Sequence, residues 1–481
     1  MYDRNDLIKA IEAKSADLQE LACNIWDNPE LAFTEYKSAA YLCDALRKEG
    51  FEVTENLADI ETAFSGRFGS GHPVIGILGE FDALSGLSQE RGVPTHCPID
   101  PEGNGHGCGH HLLGTASLAA AIGIKDYLEK TGSSGTVIYF GCPGEEGGSG
   151  KAFMARDGVF DELDFALTWH PSDMNSVGGG STLANVQVKY KFKGIPAHAA
   201  AAPHLGRSAL DAVELMNVGV NYLREHVIPE ARMHYAVTNT GGYSPNVVQA
   251  SADVLYLLRA PFNDQVQDIY KRVNNIARGA ALMTDTELEI DFYKACSNII
   301  PNFTLEELMY DTMKSIPAPT YTREEIAFAD EIENNIRNKA NSVEKLASKI
   351  KDKELKKAVL SNKDKSLLDF IAPYFPDDTA SPGSSDVGDV SWVCPTAQVY
   401  TTCYAANTPG HSWQLVAQGK KGPAFKGMLY AGEIIAATAI RCIEHPEIIE
   451  DAKAEHKERV GEGYVCPIPK GARPRKMGKG N

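Results

Sequence analysis

A chain of 481 residues is too long for one compact core, so two or more domains are expected. Its 43% hydrophobic and 23% charged composition is that of a soluble globular protein. Lys+Arg 47 against Asp+Glu 64, a net charge of -17, argues against nucleic acid or an anionic membrane as the main partner. The charged first residues lack the apolar core of a signal peptide, and no run is long enough to span a bilayer. The ten cysteines are scattered and form no Cys-x-x-Cys pair, which points to reduced thiols in a cytoplasm.

In chain order, Leu7 to Trp26 carries apolar residues at helical spacing, and Glu35 to Glu49 does the same before Gly50 stops it. Val74–Leu78 is a short apolar run of the kind buried on both faces of a parallel sheet, and Glu80 and Asp82 follow at its carboxyl end. The segment Glu102–Gly114 sets His106, Cys108, His110 and His111 among glycines, just before an alanine-rich helix over Leu112–Glu129. Thr136–Phe140 predicts the next strand, with Glu145-Glu146 and a Gly-Gly-Ser-Gly loop behind it. Phe165–Trp169 predicts another, followed by His170-Pro171. Open α/β sheets bind ligands outside the carboxyl ends of their strands, and Asp82, Glu145-Glu146 and His170 all fall at such ends.

The pattern then changes. Val186–Lys193 alternates strictly, as an antiparallel strand with one wet face does. A helix over Arg207–Glu225, strands near Met233–Asn239 and Ala252–Arg259, a helix around Val266–Ala281 and a strand over Glu287–Tyr293 complete a ferredoxin-like βαββαβ set. The expected architecture is therefore a two-domain α/β protein. A larger sheet domain (1–184 and 302–481) is interrupted by a smaller inserted domain (185–301). A charged stretch at about 317–365 reads as a solvated helical insertion, and the basic tail beyond Gly471 as disordered.

Cys108 and His110, two residues apart in a flexible loop, are a thiolate and an imidazole suited to zinc and its neighbours. Taken alone, Glu145-Glu146 reads as a surface charge pair, and His170 and His411 as ordinary histidines. Between a buried strand and a glycine loop, however, adjacent carboxylates can divide the labour, one binding metal and the other taking a proton from water. The candidate ligands are Cys108, His110, Glu146, His170 and His411, enough with a bridging water to hold two divalent ions.

His106-Gly-Cys-Gly-His110, Glu145-Glu146, Trp169-His-Pro171 and Ala197-His-Ala-Ala…Pro203-His resemble the M20 metallopeptidases, in order from about residue 20 to 440. The likeness is narrower to the branch of amidohydrolases and carboxypeptidases acting on N-acyl amino acids, in which a cysteine replaces the bridging aspartate. The resemblance implies that Cys108 bridges two ions, manganese or zinc, with His110, Glu146, His170 and His411 completing the shell and Glu145 as general base. It also implies that His198 helps hold the oxyanion, from a loop reaching a neighbouring subunit, and that Asn246 and Arg259 grip the substrate carboxylate. On its own, Arg259 reads as a strand-end surface residue. The implied activity is cleavage of p-aminobenzoyl-glutamate to p-aminobenzoate and glutamate. The alternatives are a general N-acyl-amino-acid hydrolase of the branch and a non-catalytic partner subunit of a related hydrolase. The expected assembly is a homodimer or a hetero-oligomer with a related hydrolase subunit. Two positions depart from the branch, which has aspartate where Glu80 and His111 stand.

Overall fold

The computed structural model describes residues 2–337 and 339–477. In its first part the chain forms β1 (Glu52–Glu55), β2 (Phe64–Ser70), β3 (Val74–Glu80), β4 (Gly135–Cys142), β5 (Phe165–Ser172), β6 (Ser176–Val177) and β7 (Ser181–Thr182). Next come β8 (Ala184–Lys193), β9 (Arg232–Asn239), β10 (Ser251–Ala260) and β11 (Glu287–Cys296), and finally β12 (Ala380–Ser381) and β13 (Thr396–Thr402). The main sheet has seven strands in the order β1-β2-β4-β3-β5-β13-β6. β4, β3, β5 and β13 run parallel, so their carboxyl ends share one edge, while β1, β2 and β6 pair antiparallel.

β3 is buried along its whole length because both faces are covered. Ile75 and Ile77 join a core made with helices His110–Thr131 and Gly422–Glu444. Val74 and Leu78 face a second core with Ile138, Phe140 and Phe153. The two helices approach closely through small residues, since a Cβ on Gly432 would stand 2.9 Å from that of Ala119.

The strands after residue 183 make a separate antiparallel sheet, β11-β8-β10-β9. Helices Ala209–Leu223 and Asn263–Thr284 follow β8 and β10, as the ferredoxin-like pattern requires. They cover the face carrying Val186, Val188, Val254 and Tyr256 and leave the other face open. β9 is an edge, paired to β10 alone, and Tyr235 and Val237 on it are exposed. Among the described residues no helix is long and apolar enough to cross a membrane.

Four local expectations are corrected. The helix over Leu7–Trp26 is two helices, Arg4–Glu12 and Ser15–Trp26, because no residue between Ile11 and Leu18 is buried and packing does not hold the turn. His170 and Pro171 lie within β5 rather than after it; proline is tolerated there because β3 pairs with β5 at Phe165–Leu167 and not beyond. The charged stretch is helical but not merely solvated. Its helices Arg323–Asn334, Ser342–Lys349 and Lys353–Leu360 bury Ile332, Val343, Ala347 and Val359 against neighbours such as Met174, Leu368 and Ala405. The tail is ordered through Met477: Arg473 pairs with Asp59, Arg475 with Asp291 and Lys476 with Glu61. Residues 478–481, also expected to be disordered, lie outside the described residues.

Candidate metal centre

Parallel strands deliver the polar groups of the site to one edge. β3 ends at Glu80, with Asp82 two residues on, and β4 leads through Gly144 into a four-residue helical turn opened by Glu145 and Glu146. His170 lies in β5, and His411 follows β13 on a loop. Helix His110–Thr131 starts at the glycine-spaced segment, with Gly109 at φ 83 as its N-cap. A Cβ there would stand 2.1 Å from the Tyr404 hydroxyl, so this close approach requires glycine.

Ligand atoms of Cys108, His110 and His170 lie within 4.8 Å of one another, and so do those of Cys108, Glu146 and His411. Cys108 belongs to both groups. Its Sγ is 3.3 Å from His170 Nε2, and His411 Nε2 is 3.2 Å from Glu146 Oε1. All five predicted ligands are thus brought together, as a sulfur shared between an imidazole pair and a carboxylate–imidazole pair.

The hydrogen bonds around this cluster fix which atoms point inward. His110 Nδ1 donates to Asp82 Oδ1 at 2.8 Å, and His170 Nδ1 donates to the Pro171 carbonyl at 2.8 Å. Each bond leaves Nε2 with its lone pair facing the cluster, the arrangement that fixes metal-bound histidines. Asp82 also accepts the Glu146 N–H through Oδ2 at 3.0 Å, tying both groups to one carboxylate. His411 adopts φ 53, an uncommon conformation for a non-glycine residue, and its N–H is held by the Gly107 carbonyl at 2.9 Å.

The donor set fits divalent cations. His110 Nε2 and Glu146 Oε1 are buried and form no hydrogen bond, facing Glu80 Oε2 at 3.3 Å and His411 Nε2 at 3.2 Å respectively, an arrangement that a bound cation would satisfy. Burial pushes the Cys108 thiol far above its ordinary range, and the Glu146 carboxylate pushes it the same way. A thiolate in that position calls for a cation. Burial raises the Glu146 carboxyl, but His411, His110 and Cys108 together outweigh it and bring the group down to about 2. The His411 side chain, 57% exposed, marks the open side of the cluster.

Glu145 stands beside the cluster rather than in the two groups around Cys108. Its carboxylate lies within 4.8 Å of Glu80 and His110 ligand atoms. Burial, then the charges of Glu80 and Glu146, raises its pKa well above the ordinary carboxylate value.

Behind these groups lies a charge network that sequence reasoning missed. Lys151 is fully buried, with Nζ 2.6 Å from Glu80 Oε1 and 2.6 Å from Asp386 Oδ1. Its backbone N–H donates to Asp386 Oδ2 at 2.8 Å. The remaining Glu80 oxygen, Oε2, lies 3.3 Å from His110 Nε2, which is where the unusual glutamate at this position acts. The available signal was a charged residue among the glycines that follow Glu146. His111, the other departure, does not join the cluster: its Nε2 donates to the Gly419 carbonyl at 2.8 Å, and burial lowers its pKa to about 3.

The structure does not place His198, Asn246 or Arg259 in either ligand group. His198 and Asn246 are exposed and adjacent: the Ala199 N–H donates to the Asn246 carbonyl at 2.9 Å, and His198 bridges to Val247. Arg259 lies near the end of β10 and donates through Nη1 to the Pro382 carbonyl at 3.0 Å.

Comparisons with known proteins agree with this architecture. The family model described as peptidase family M20/M25/M40 matches residues 76–403. The chain is 50% identical over 468 residues to one subunit of the p-aminobenzoyl-glutamate hydrolase of Escherichia coli, covering 97% of both chains. It is 31% identical over 313 residues to the Xaa-Arg dipeptidase of Mus musculus, covering 61% of this chain and 67% of that one. Among solved structures it resembles a Bacillus subtilis dinuclear metal binding peptidase from the M20 family, with a TM-score of 0.55, 16% identity, and coverage of 90% of this chain and 99% of the other. On the family match and the near full-length identity, the chain belongs to peptidase family M20/M25/M40.

Proposed function

We propose that this chain is a metal-dependent amide hydrolase that splits p-aminobenzoyl-glutamate into p-aminobenzoate and glutamate. The observation that carries the reaction class is the sharing of Cys108 between two donor groups. The substrate is supported by the 50% identity over 97% of the chain to a hydrolase named for it. His110 and His170 would hold one divalent ion, Glu146 and His411 the other, and the Cys108 thiolate both. The bound ions, manganese or zinc, supply Lewis acidity toward the amide carbonyl.

The remaining steps belong to the chain's own side chains. Glu145 takes the proton of the attacking water and returns it to the nitrogen of the departing glutamate. Asp82 keeps His110 in its ligating tautomer and anchors the Glu146 backbone. Arg259 takes the substrate α-carboxylate in its planar fork, with Asn246 assisting.

In this reading residues 185–301 are a lid and dimerisation domain set between 1–184 and 302–481. His198 serves the oxyanion in a neighbouring subunit. Its exposed loop, the adjacent Asn246 and the exposed apolar residues Ile195, Leu205, Tyr243 and Val247 nearby support a role outside its own chain. The partner is a second copy or a related hydrolase subunit, the latter supported by the Escherichia coli relative, whose name makes it one subunit of its hydrolase. The ten free cysteines suit a reducing cytoplasm.

The test is hydrolysis of a panel by the purified chain with manganese or zinc added: p-aminobenzoyl-glutamate, N-acetyl and indole-acetyl amino acids, and Xaa-Arg dipeptides. Fastest turnover of p-aminobenzoyl-glutamate is expected. Faster turnover of another N-acyl amino acid would assign the chain to the general hydrolases of the branch.

A further inference from the structure

On the open face of the antiparallel sheet, one transverse row of residues runs from β11 to a cavity. Cys296 of β11 pairs with Asn185 of β8, Asn185 with Arg259 of β10, and Arg259 with Arg232 of β9. Lys294, two residues before Cys296 on β11, donates to the Glu146 carbonyl at 3.2 Å, so β11 is the strand of this sheet that reaches the Glu145–Glu146 loop. Neighbouring strands lie about 4.7–4.9 Å apart, and Arg259 stands two strands out from β11 and Arg232 three.

The two arginines stand directly opposite each other on the same face. Like charges in that position destabilise a sheet unless something neutralises them. Among the described residues, neither forms an ion pair with a carboxylate. Arg232 donates through Nη1 to the carbonyls of Pro229 and Ala231, at 2.7 and 2.8 Å. Arg259 Nη1 donates to the Pro382 carbonyl, and its Nε is buried with no hydrogen-bond partner. Both line a cavity of about 640 Å³, with His234 on the same strand face and Thr379 also in its lining. Of the two acidic residues at the cavity, Asp378 is engaged by Arg459 at 2.7 Å, and Glu230 pairs with neither arginine.

A single arginine suffices for one carboxylate. We propose that Arg232 reads a second: the Arg259–Arg232 pair binds the two carboxylates of a dicarboxylic amino acid, Arg259 the α-carboxylate and Arg232 the one on the side chain. The two carboxylates of an extended glutamate are about as far apart as neighbouring strands, so arginines paired on adjacent strands can each reach one. Arg232 is then the residue that separates glutamate from neutral amino acids. The assignment rests on the reading that the released amino acid is acidic.

The test compares p-aminobenzoyl-glutamate with p-aminobenzoyl-glutamine, which loses the side-chain charge and keeps the shape. Kinetics are measured on the parent chain, Arg232→Met and Arg232→Lys, and calorimetric binding on the same chains carrying Glu145→Gln. The parent should prefer the glutamate compound. Arg232→Met should raise its KM about 10–100-fold, the range for hydrogen bonds to a charged group, with kcat within about twofold and the glutamine compound unaffected. Arg232→Lys should restore part of the preference. Because Arg232 is exposed, these variants should keep the parent's melting temperature. An unchanged preference in Arg232→Met, or equal weakening toward both compounds, would overturn the proposal. If the parent cleaves neither compound but cleaves other N-acyl amino acids, the substrate reading fails on its own. The Arg232 assignment is then decided by the same comparison between N-acetyl-glutamate and N-acetyl-glutamine.

Discussion

Asp82 holds His110 in place: its Oδ1 lies 2.8 Å from the imidazole Nδ1, on the side away from the ligand cluster. Because a carboxylate can only accept here, the proton sits on Nδ1 and Nε2 is free for a cation. Asp82→Ala should therefore lower metal affinity about 10–100-fold while leaving the fold intact. Metal titration followed by calorimetry, with far-UV circular dichroism as the fold control, checks this. Unchanged affinity would assign Asp82 a packing role alone.

Glu145 and Glu146 are neighbours with different surroundings, one beside Glu80 and the other facing His411. Glu145→Gln should retain the metals and lose about 10²–10⁴-fold in turnover. Glu146→Gln should lose an ion as well as activity. Equal metal content and equal loss of rate in the two variants would contradict the division of labour.

Lys151 is a buried cation bonded to two buried carboxylates. Lys151→Ala would leave Glu80 and Asp386 uncompensated and should cost about 3–5 kcal/mol of stability. Urea unfolding measures it, and a loss below about 1 kcal/mol would show that the network is not structural.

How far the sequence carried this picture differs from residue to residue. Cys108 and His110 were legible as donors set among glycines in one loop, whereas Glu146, His170 and His411 read singly as ordinary residues and joined the ligand set only in combination with them. β13 was not legible: Thr396–Thr402 carries threonines and a glutamine, and its burial comes from β5 and a helix elsewhere in the chain. Lys151 was hidden because lysine is mostly solvent-exposed and its two partners lie far away in sequence. The buried faces of the 317–365 helices are narrow, with Ala329 and Ile332 alone fully buried on the first, too few for a clear periodicity. His198 and Arg259 were recognisable only by family likeness, because on their own an exposed loop histidine and a strand-end arginine read as ordinary surface residues.

The exposed His198 loop leads to a complementation experiment. Inactive Glu145→Gln and inactive His198→Ala chains, mixed under conditions of subunit exchange, should recover part of the activity. A mixed dimer contains one site with both wild-type residues. If the native partner is a different subunit, the pure chain should instead be weak until that subunit is added. A fully active monomer would contradict both versions.

The central claim is that one thiolate, Cys108, serves two metal ions at once. Elemental analysis of metal-loaded protein tests it most directly. The parent chain should carry two divalent ions, fewer as the medium is acidified, because the thiolate must be deprotonated to bind. Cys108→Ala should carry fewer than two at neutral pH under the same loading. Two ions per chain retained by Cys108→Ala would contradict the bridging role.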